Sequence, residues 1–312
     1  MKVCFIGVGS IAKRHIKNLK AMLGADVEID ILRSGRGNPL DSTIEDRLRA
    51  VRFRASELDA HYDALFITNP TALHYETLLN YKHLSDDIFI EKPAFSTGAE
   101  DITPFQNDGK NYYVACPLRY TNVIRWLKSD VDFSQVYSMR CISSSYLPDW
   151  RPGTDYRKTY SAHSDQGGGV AIDLIHEWDY ICHLIGYPLE VKSFLRRKSA
   201  LEIDAEDIAI YIADYANATV EVHLDYFGRA PIRRLELYCR DETLIADLIQ
   251  QKIERLRADG SNETLELTQA RDDYQRLELE HFLEIAAKKI PSDNDLSDAT
   301  KVLRIARGAW RS

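Results

Sequence analysis

The chain reads as an α/β protein in two parts: a doubly wound parallel sheet, then an α+β domain built around an open, mainly antiparallel sheet. Three observations predict this. Up to about residue 118, short unbroken apolar strands alternate with helical stretches. A glycine-rich turn follows the first strand at once. After Cys116 the strands lengthen, alternate polar with apolar, and follow one another through short turns.

The first strand is Val3-Cys4-Phe5-Ile6, and Gly7-Val8-Gly9-Ser10-Ile11-Ala12 leads from it into a helix over residues 12–23. Three small positions are needed for a dinucleotide turn. Gly7 makes the tight turn, Gly9 lets backbone approach a pyrophosphate, and Ala12 lets helix and strand pack closely. The amides at the helix start, from Ser10 and Ile11 on, then face the phosphates. The second strand, 27–32, ends in Arg33-Ser34-Gly35-Arg36. An NAD-selective tip usually carries an acid for the ribose 2′-hydroxyl, whereas two guanidiniums and a hydroxyl suit a 2′-phosphate. The tip therefore favours NADP over NAD. The alternative is a basic surface turn, with Asp30 as the ribose acid.

Further strands are expected at 51–53, 64–68, 88–90 and 112–116, with helical stretches such as 71–84 between them. The fourth strand ends in Thr68-Asn69-Pro70-Thr71, where Thr71 is the expected N-cap, and His74 alone reads as a surface histidine. The fifth, Ile88-Phe89-Ile90, runs straight into Glu91-Lys92-Pro93. Ligands of parallel sheets lie outside the carboxyl ends of the strands, so a lysine there is close to whatever the sheet binds. A solvated turn is the plain alternative.

From Pro117-Leu118-Arg119-Tyr120 the chain enters a helix ending near 127, then strands at 136–145, 191–195, 208–215, 219–226, 234–238, 243–248 and 263–267. This predicts a dinucleotide-binding domain over 1–118 and a substrate-binding and oligomerisation domain over 119–296. The second includes a charged helix at 272–289. A final helix, about 297–312, is expected to pack back on the first domain. An open sheet face is a default surface for a homodimer or homotetramer.

Between the first two strands of the second sheet lies an irregular stretch carrying Trp150, Arg151, Tyr156, Arg157 and Lys158. Gly167-Gly168-Gly169 then opens a helix with Asp173, His176 and Asp179 spaced i, i+3, i+6. The histidine is either a core residue tied to Asp179 or a base whose tautomer a carboxylate sets.

Composition narrows the partners. A net charge of −8 with no basic block argues against a nucleic-acid surface, so an anionic ligand must meet local positive charge. No apolar run is long enough for a membrane helix. The cysteines, Cys4, Cys116, Cys141, Cys182 and Cys239, are scattered and never spaced as a metal knuckle. They read as reduced core residues of a cytoplasmic protein without a metal.

Taken together, Gly7 to Ala12, Thr68-Asn69-Pro70 with His74, Glu91-Lys92-Pro93, and the triple glycine followed by Asp173 and His176 resemble the glucose-fructose oxidoreductase, inositol dehydrogenase and MocA family. The resemblance covers essentially the whole chain and is most specific at Glu91-Lys92-Pro93. It implies an N-terminal Rossmann domain, a C-terminal open sheet, NAD(P), and hydride transfer at a secondary alcohol of a sugar or cyclitol. It implies that Lys92 holds substrate and nicotinamide ribose and favours the developing alkoxide. His176 would be the general base, Asp173 would orient substrate, and Glu91 would position the lysine. Thr68, Asn69, Pro70 and His74 would line the cofactor's path.

One departure concerns the acid. Many members place it four residues before the histidine, but here Asp173 precedes His176 by three and Ile172 takes the other position. The Asp-x-x-His-Glu-x-Asp pattern behind a Trp-Arg-Pro-Gly loop is similar to relatives linked to bacterial surface-sugar biosynthesis. That implies an anionic or nucleotide-linked sugar, with Arg119, Arg151, Arg157 and Lys158 supplying charge and Tyr120, Trp150, Tyr156 and Asp179 the rest of the pocket. Two other outcomes fit the same scaffold: imine or enone reduction, and a non-enzymatic nicotinamide-sensing regulator.

Overall fold

The structure, a computed structural model, describes residues 1–35 and 39–311, and the chain folds as two compact units. The first comprises Met1–Pro117 with Arg271–Thr300, the second Leu118–Ala270 with Lys301–Ser312. Among the described residues no helix is long and apolar enough to cross a membrane.

In the first unit the elements run β1 (Lys2–Ile6), α1 (Ser10–Leu23), β2 (Glu28–Leu32), α2 (Ser42–Glu45), β3 (Ala50–Arg52), β4 (Ala64–Ile67), α3 (His74–Tyr81), β5 (Asp87–Ile90) and β6 (Asn111–Val114). The six strands form one parallel sheet in the order β3-β2-β1-β4-β5-β6. The order reverses between β1 and β4, which is where an open parallel sheet binds its ligand. Every side chain of β4 is buried, and Ile88, Phe89 and Ile90 of β5 are inaccessible to solvent, as unbroken apolar strands require when both faces are covered. Phe5 stacks on Phe66 at 4.4 Å, and Phe66 meets Phe89 at 5.2 Å.

The second unit runs α4 (Asn122–Asp130), β7 (Val136–Ser144), α5 (Val170–Asp173), α6 (His176–Ile185), β8 (Glu190–Arg196), β9 (Ile208–Asp214), β10 (Thr219–Asp225), β11 (Ile232–Cys239), β12 (Glu242–Asp247), β13 (Lys252–Arg257) and β14 (Asn262–Glu266). Thr121 caps α4 by accepting the Ile124 amide on its hydroxyl. The eight strands are ordered β14-β13-β12-β11-β7-β10-β9-β8, antiparallel except between β7 and β10. One face takes the alternating buried residues, such as Tyr211, whose ring meets Trp178 of α6 edge-on at 5.3 Å. Phe194, Ile212 and Leu256 stay exposed.

Several expectations are corrected. The charged helix, α7 (Arg271–Ala286), lies with the first unit instead of the second. Its Phe282 packs on Phe66, Phe89 and Tyr113 of the parallel sheet, and Glu278 accepts the Cys116 amide. The division of the chain falls inside the last helix, α8 (Leu296–Ala306), and the residues after it pack on the second sheet. There the Ala306 carbonyl accepts the Tyr211 hydroxyl and Trp310 donates to the Pro188 carbonyl. The expected single helix carrying Asp173, His176 and Asp179 is two, α5 and α6, parted at Leu174–Ile175 with no glycine or proline to announce it. A strand missed in the sequence, β13, pairs with β12 and β14; its Lys-Ile-Glu-Arg-Leu-Arg composition hides a buried Ile253 among charges. Thr71 opens a single 3-10 turn without a capping bond, and α3 begins at His74.

Candidate active site

The glycine turn takes its shape from β4. Gly7 has φ +87°, and a side chain there would begin 2.5 Å from the Asn69 Cα. The Thr68 hydroxyl donates to the Gly7 carbonyl at 2.7 Å, so Thr68 and Asn69 form the floor of the turn. A side chain at Gly9, by contrast, would meet no atom within 4 Å. Gly9 caps α1 without a side-chain bond, and the first turn of the helix holds no acid. Its first amides are thus left to face an anion. Ala12 is fully buried, as close packing of helix on strand requires, while Ser10 is exposed and Ile11 half-buried. These residues fit a pyrophosphate. Gly7→Ala is expected to lower stability by about 1–3 kcal/mol and to abolish dinucleotide binding, checked by denaturant melting and a cofactor titration.

His74 is a core residue and not a surface one. Its ring spans two carbonyls, Nε2 to Asn69 at 2.9 Å and Nδ1 to Ala94 at 3.1 Å. Burial holds its pKa below the ordinary histidine value, against the pull of those carbonyls. Pro70 and His74 therefore brace the loop that carries Asn69, whose amide nitrogen donates to Thr77 at 2.8 Å.

At the end of β2, Arg33 is half-buried and Ser34 exposed, and the Arg33 amide donates to the Arg52 carbonyl at 2.9 Å. Arg36 lies outside the described residues. Asp30 is buried two residues inside the strand end, bound by the Arg49 guanidinium and by the Tyr62 hydroxyl at 2.9 Å. Its oxygens belong to the core, which removes it as the ribose acid.

Glu91 and Lys92 leave the carboxyl end of β5, both half-buried, and a cis bond joins Lys92 to the buried Pro93. The Glu91 carboxylate is held from α1. His15 Nε2 lies 2.6 Å from Oε1, and Oε2 accepts the Lys92 amide at 3.3 Å. His15 is buried with its Nδ1 lacking a hydrogen-bond partner. The sequence reading missed it. Its signal was a histidine on the buried face of a helix just beyond the glycine turn.

The second unit brings another set together. His176 opens α6 and is the single side chain between Gly168 and Cys182 that is not buried. Asp173 is buried, and its Oδ2 accepts the Tyr226 hydroxyl at 2.6 Å. The Tyr226 ring meets Trp150 edge-on at 5.3 Å. Burial foremost, and then the Asp173 charge, push the phenol of the fully buried Tyr226 well above the usual tyrosine range. The Arg151 guanidinium sits 5.3 Å above the Tyr160 ring. Asp173, Trp150 and Arg151 are thus gathered through two tyrosines that sequence reasoning did not single out.

Other predicted residues engage one another or their neighbours. Arg119 and Asp179, both buried, form a two-point ion pair with contacts of 2.7 and 3.0 Å. Asp179 therefore serves Arg119. The Tyr120 carbonyl accepts from Gln269 at 3.3 Å. Arg157 pairs with Asp155 and Glu202, and the Tyr156 hydroxyl accepts the Glu202 amide at 3.1 Å. Of the triple glycine, a side chain at Gly168 would strike the Tyr160 carbonyl, and one at Gly169, φ +113°, the Glu206 carboxylate. These glycines secure close packing at the entry to α5. All five cysteines are free thiols, and all but Cys239 are buried.

The first unit is thus a dinucleotide-type sheet with a lysine at its ligand edge, and the second an open sheet with a histidine on its covering helix. Residues 129–245 match the family model described as GFO/IDH/MocA C-terminal domain. An uncharacterized oxidoreductase, YrbE, of Bacillus subtilis (strain 168) is 23% identical over 228 residues, 70% of this chain. The match spans 64% of that relative, under two thirds of its length. Two solved structures share the fold. UDP-N-acetylglucosamine 3-dehydrogenase GnnA from Acidithiobacillus ferrooxidans superposes with TM-score 0.78 at 20% identity, covering 99% of this chain and 96% of that one. Levoglucosan dehydrogenase in complex with NADH reaches 0.83 at 17% identity, covering 99% and 95%. The match to the family model thus lies within the second unit, and the fold of the whole chain is the one these two dehydrogenases share.

Proposed function

We propose that the protein is an oxidoreductase that moves a hydride between NADPH or NADP⁺ and a secondary alcohol or ketone of a sugar, cyclitol or nucleotide-linked sugar. The observation that carries this is in the first sheet. Lys92 leaves β5 at the same edge at which β1 ends in the Gly7 to Ala12 turn, two strands away, about 10 Å. A phosphate cradle and a cation at one strand edge are what cofactor positioning and alkoxide stabilisation need. The NADH-bound sugar dehydrogenase and the nucleotide-sugar dehydrogenase among the structural neighbours support both the cofactor class and the substrate class.

In this reading Lys92 stabilises the oxyanion and His176, half-buried among buried neighbours, exchanges the hydroxyl proton. Asp173, tied to Tyr226, shapes the substrate site together with Trp150 and Arg151. Arg33 and Ser34, with Arg36, favour NADP over NAD. The exposed face of the second sheet joins copies into a homodimer or homotetramer, and the protein works in the cytoplasm.

The first experiment is a nicotinamide-fluorescence titration with NADPH and NADH, followed by a panel of sugars and nucleotide sugars. Clear NADPH preference is expected, with Arg33→Asp weakening NADPH about 100-fold by placing a carboxylate against the phosphate. NADH preference would overturn the NADP reading. Absence of binding by either cofactor would overturn the oxidoreductase reading itself.

A further inference from the structure

The carboxyl ends of β2 and β3 lie side by side, with Leu32 paired to Arg52 and the Arg33 amide bound to the Arg52 carbonyl. The Arg33-Ser34-Gly35 tip therefore rests beside Arg52 and Phe53, residues that the sequence reading passed over. Phe53 is 55% exposed. Its ring reaches to 3.7 Å from where a side chain at Gly35 would begin. Arg52 is half-buried, and its Nε is buried without a hydrogen-bond acceptor.

The neighbouring carboxylate is engaged by backbone amides. Glu57 Oε2 accepts the Phe53 and Arg54 amides, at 3.0 and 3.3 Å, and so fixes the turn after β3. Those amides, more than the Arg54 and Arg52 charges, hold Glu57 below the usual carboxylate range. An exposed phenylalanine alone is ordinary. Here the ring adjoins the Gly35 turn, and the residue before it in the chain, Arg52, has an unsatisfied guanidinium nitrogen, in a protein of net charge −8, at a strand edge that also carries the glycine turn one strand beyond β2. A flat apolar face beside a forked cation suits a purine carrying a phosphate on its ribose.

We propose that the end of β3 forms a wall of the adenosine site, with Phe53 stacking on the adenine and Arg52 joining Arg33 on the ribose 2′-phosphate. The proposal rests on the dinucleotide reading above, and its arginine half on the preference for NADP. It makes β3 as well as the β2 tip a determinant of cofactor choice.

The test titrates the full chain with NADPH and NADH in four forms: wild type, Phe53→Ala, Phe53→Tyr and Arg52→Gln, with thermal melts to confirm folding. Phe53→Ala is expected to weaken both cofactors alike, about 10-fold, and Phe53→Tyr to restore them, since adenine is common to both. Arg52→Gln is expected to weaken NADPH about 10-fold and NADH less than about twofold. Unchanged affinities in Phe53→Ala, or equal weakening of both cofactors by Arg52→Gln, would overturn the proposal. A wild type that prefers NADH and ignores Arg33→Asp defeats the NADP reading and the role of Arg52 with it, while the Phe53 pair still decides the stacking. A wild type that binds neither cofactor defeats the dinucleotide reading and this wall together.

Discussion

A Lys92→Ala protein is expected to bind NADPH within about threefold of wild type yet turn over its sugar at least about 100-fold more slowly. The separation follows from how the lysine is mounted. Its backbone is held independently of its side chain: the amide binds Glu91 Oε2, Glu91 Oε1 is held by His15, and Pro93, Ala94 and Phe95 are buried. Truncation therefore removes the ammonium and leaves the strand end in place. The phosphate cradle at Gly7 to Ala12 belongs to β1 and α1, so cofactor affinity has little reason to fall. Lys92→Arg keeps the charge but spreads it over a planar fork that a point contact to an alkoxide does not match, and an intermediate rate is expected. Initial rates followed by nicotinamide absorbance, with a parallel fluorescence titration, check both halves. Full turnover in Lys92→Ala would remove the lysine from the chemistry, and loss of cofactor binding would make it a binding residue instead.

The parts of the site that could be read from the sequence are those whose physics is local. Gly7 is required by its own φ and by the Asn69 backbone pressing on it, and the turn comes directly after an apolar strand. Glu91-Lys92-Pro93 was legible because Ile88 to Ile90 could only be a covered strand, so the charges had to emerge at its end. What remained hidden depends on partners far along the chain. His15 meets Glu91 across 76 residues, Arg119 meets Asp179 across 60, and Tyr226 meets Asp173 across 53. The spacing Asp173, His176, Asp179 suggested a helical face, but the chain breaks at Leu174–Ile175, and Asp179 is taken by Arg119. The triple glycine likewise signalled a close approach without saying to what, and the partners are the Tyr160 carbonyl and the Glu206 carboxylate.

Helix α7 is the clearest case of an amphipathic pattern that fixes a buried face but not the surface it covers, and its placement carries a second large effect. Phe282→Ala is expected to destabilise the first unit by about 3–5 kcal/mol. The side chain is fully buried, and its ring meets Phe89 at 5.3 Å, Phe66 at 5.6 Å and Tyr113 at 5.9 Å, rings from three strands of the parallel sheet. Removing it opens a cavity against strands that cannot move in to fill it, because each is locked by ladders on both sides or by its neighbours' packing. Phe282→Leu keeps much of the volume and should lose less, about 1–2 kcal/mol. Urea melting with cofactor binding as the reporter would isolate the first unit, since the glycine turn lies in it. A loss below about 1 kcal/mol for Phe282→Ala would mean that α7 contributes little to the sheet it covers. A loss of the expected size, appearing in the cofactor-reported transition, would establish that a segment more than 150 residues beyond Pro117 completes the core of the N-terminal fold.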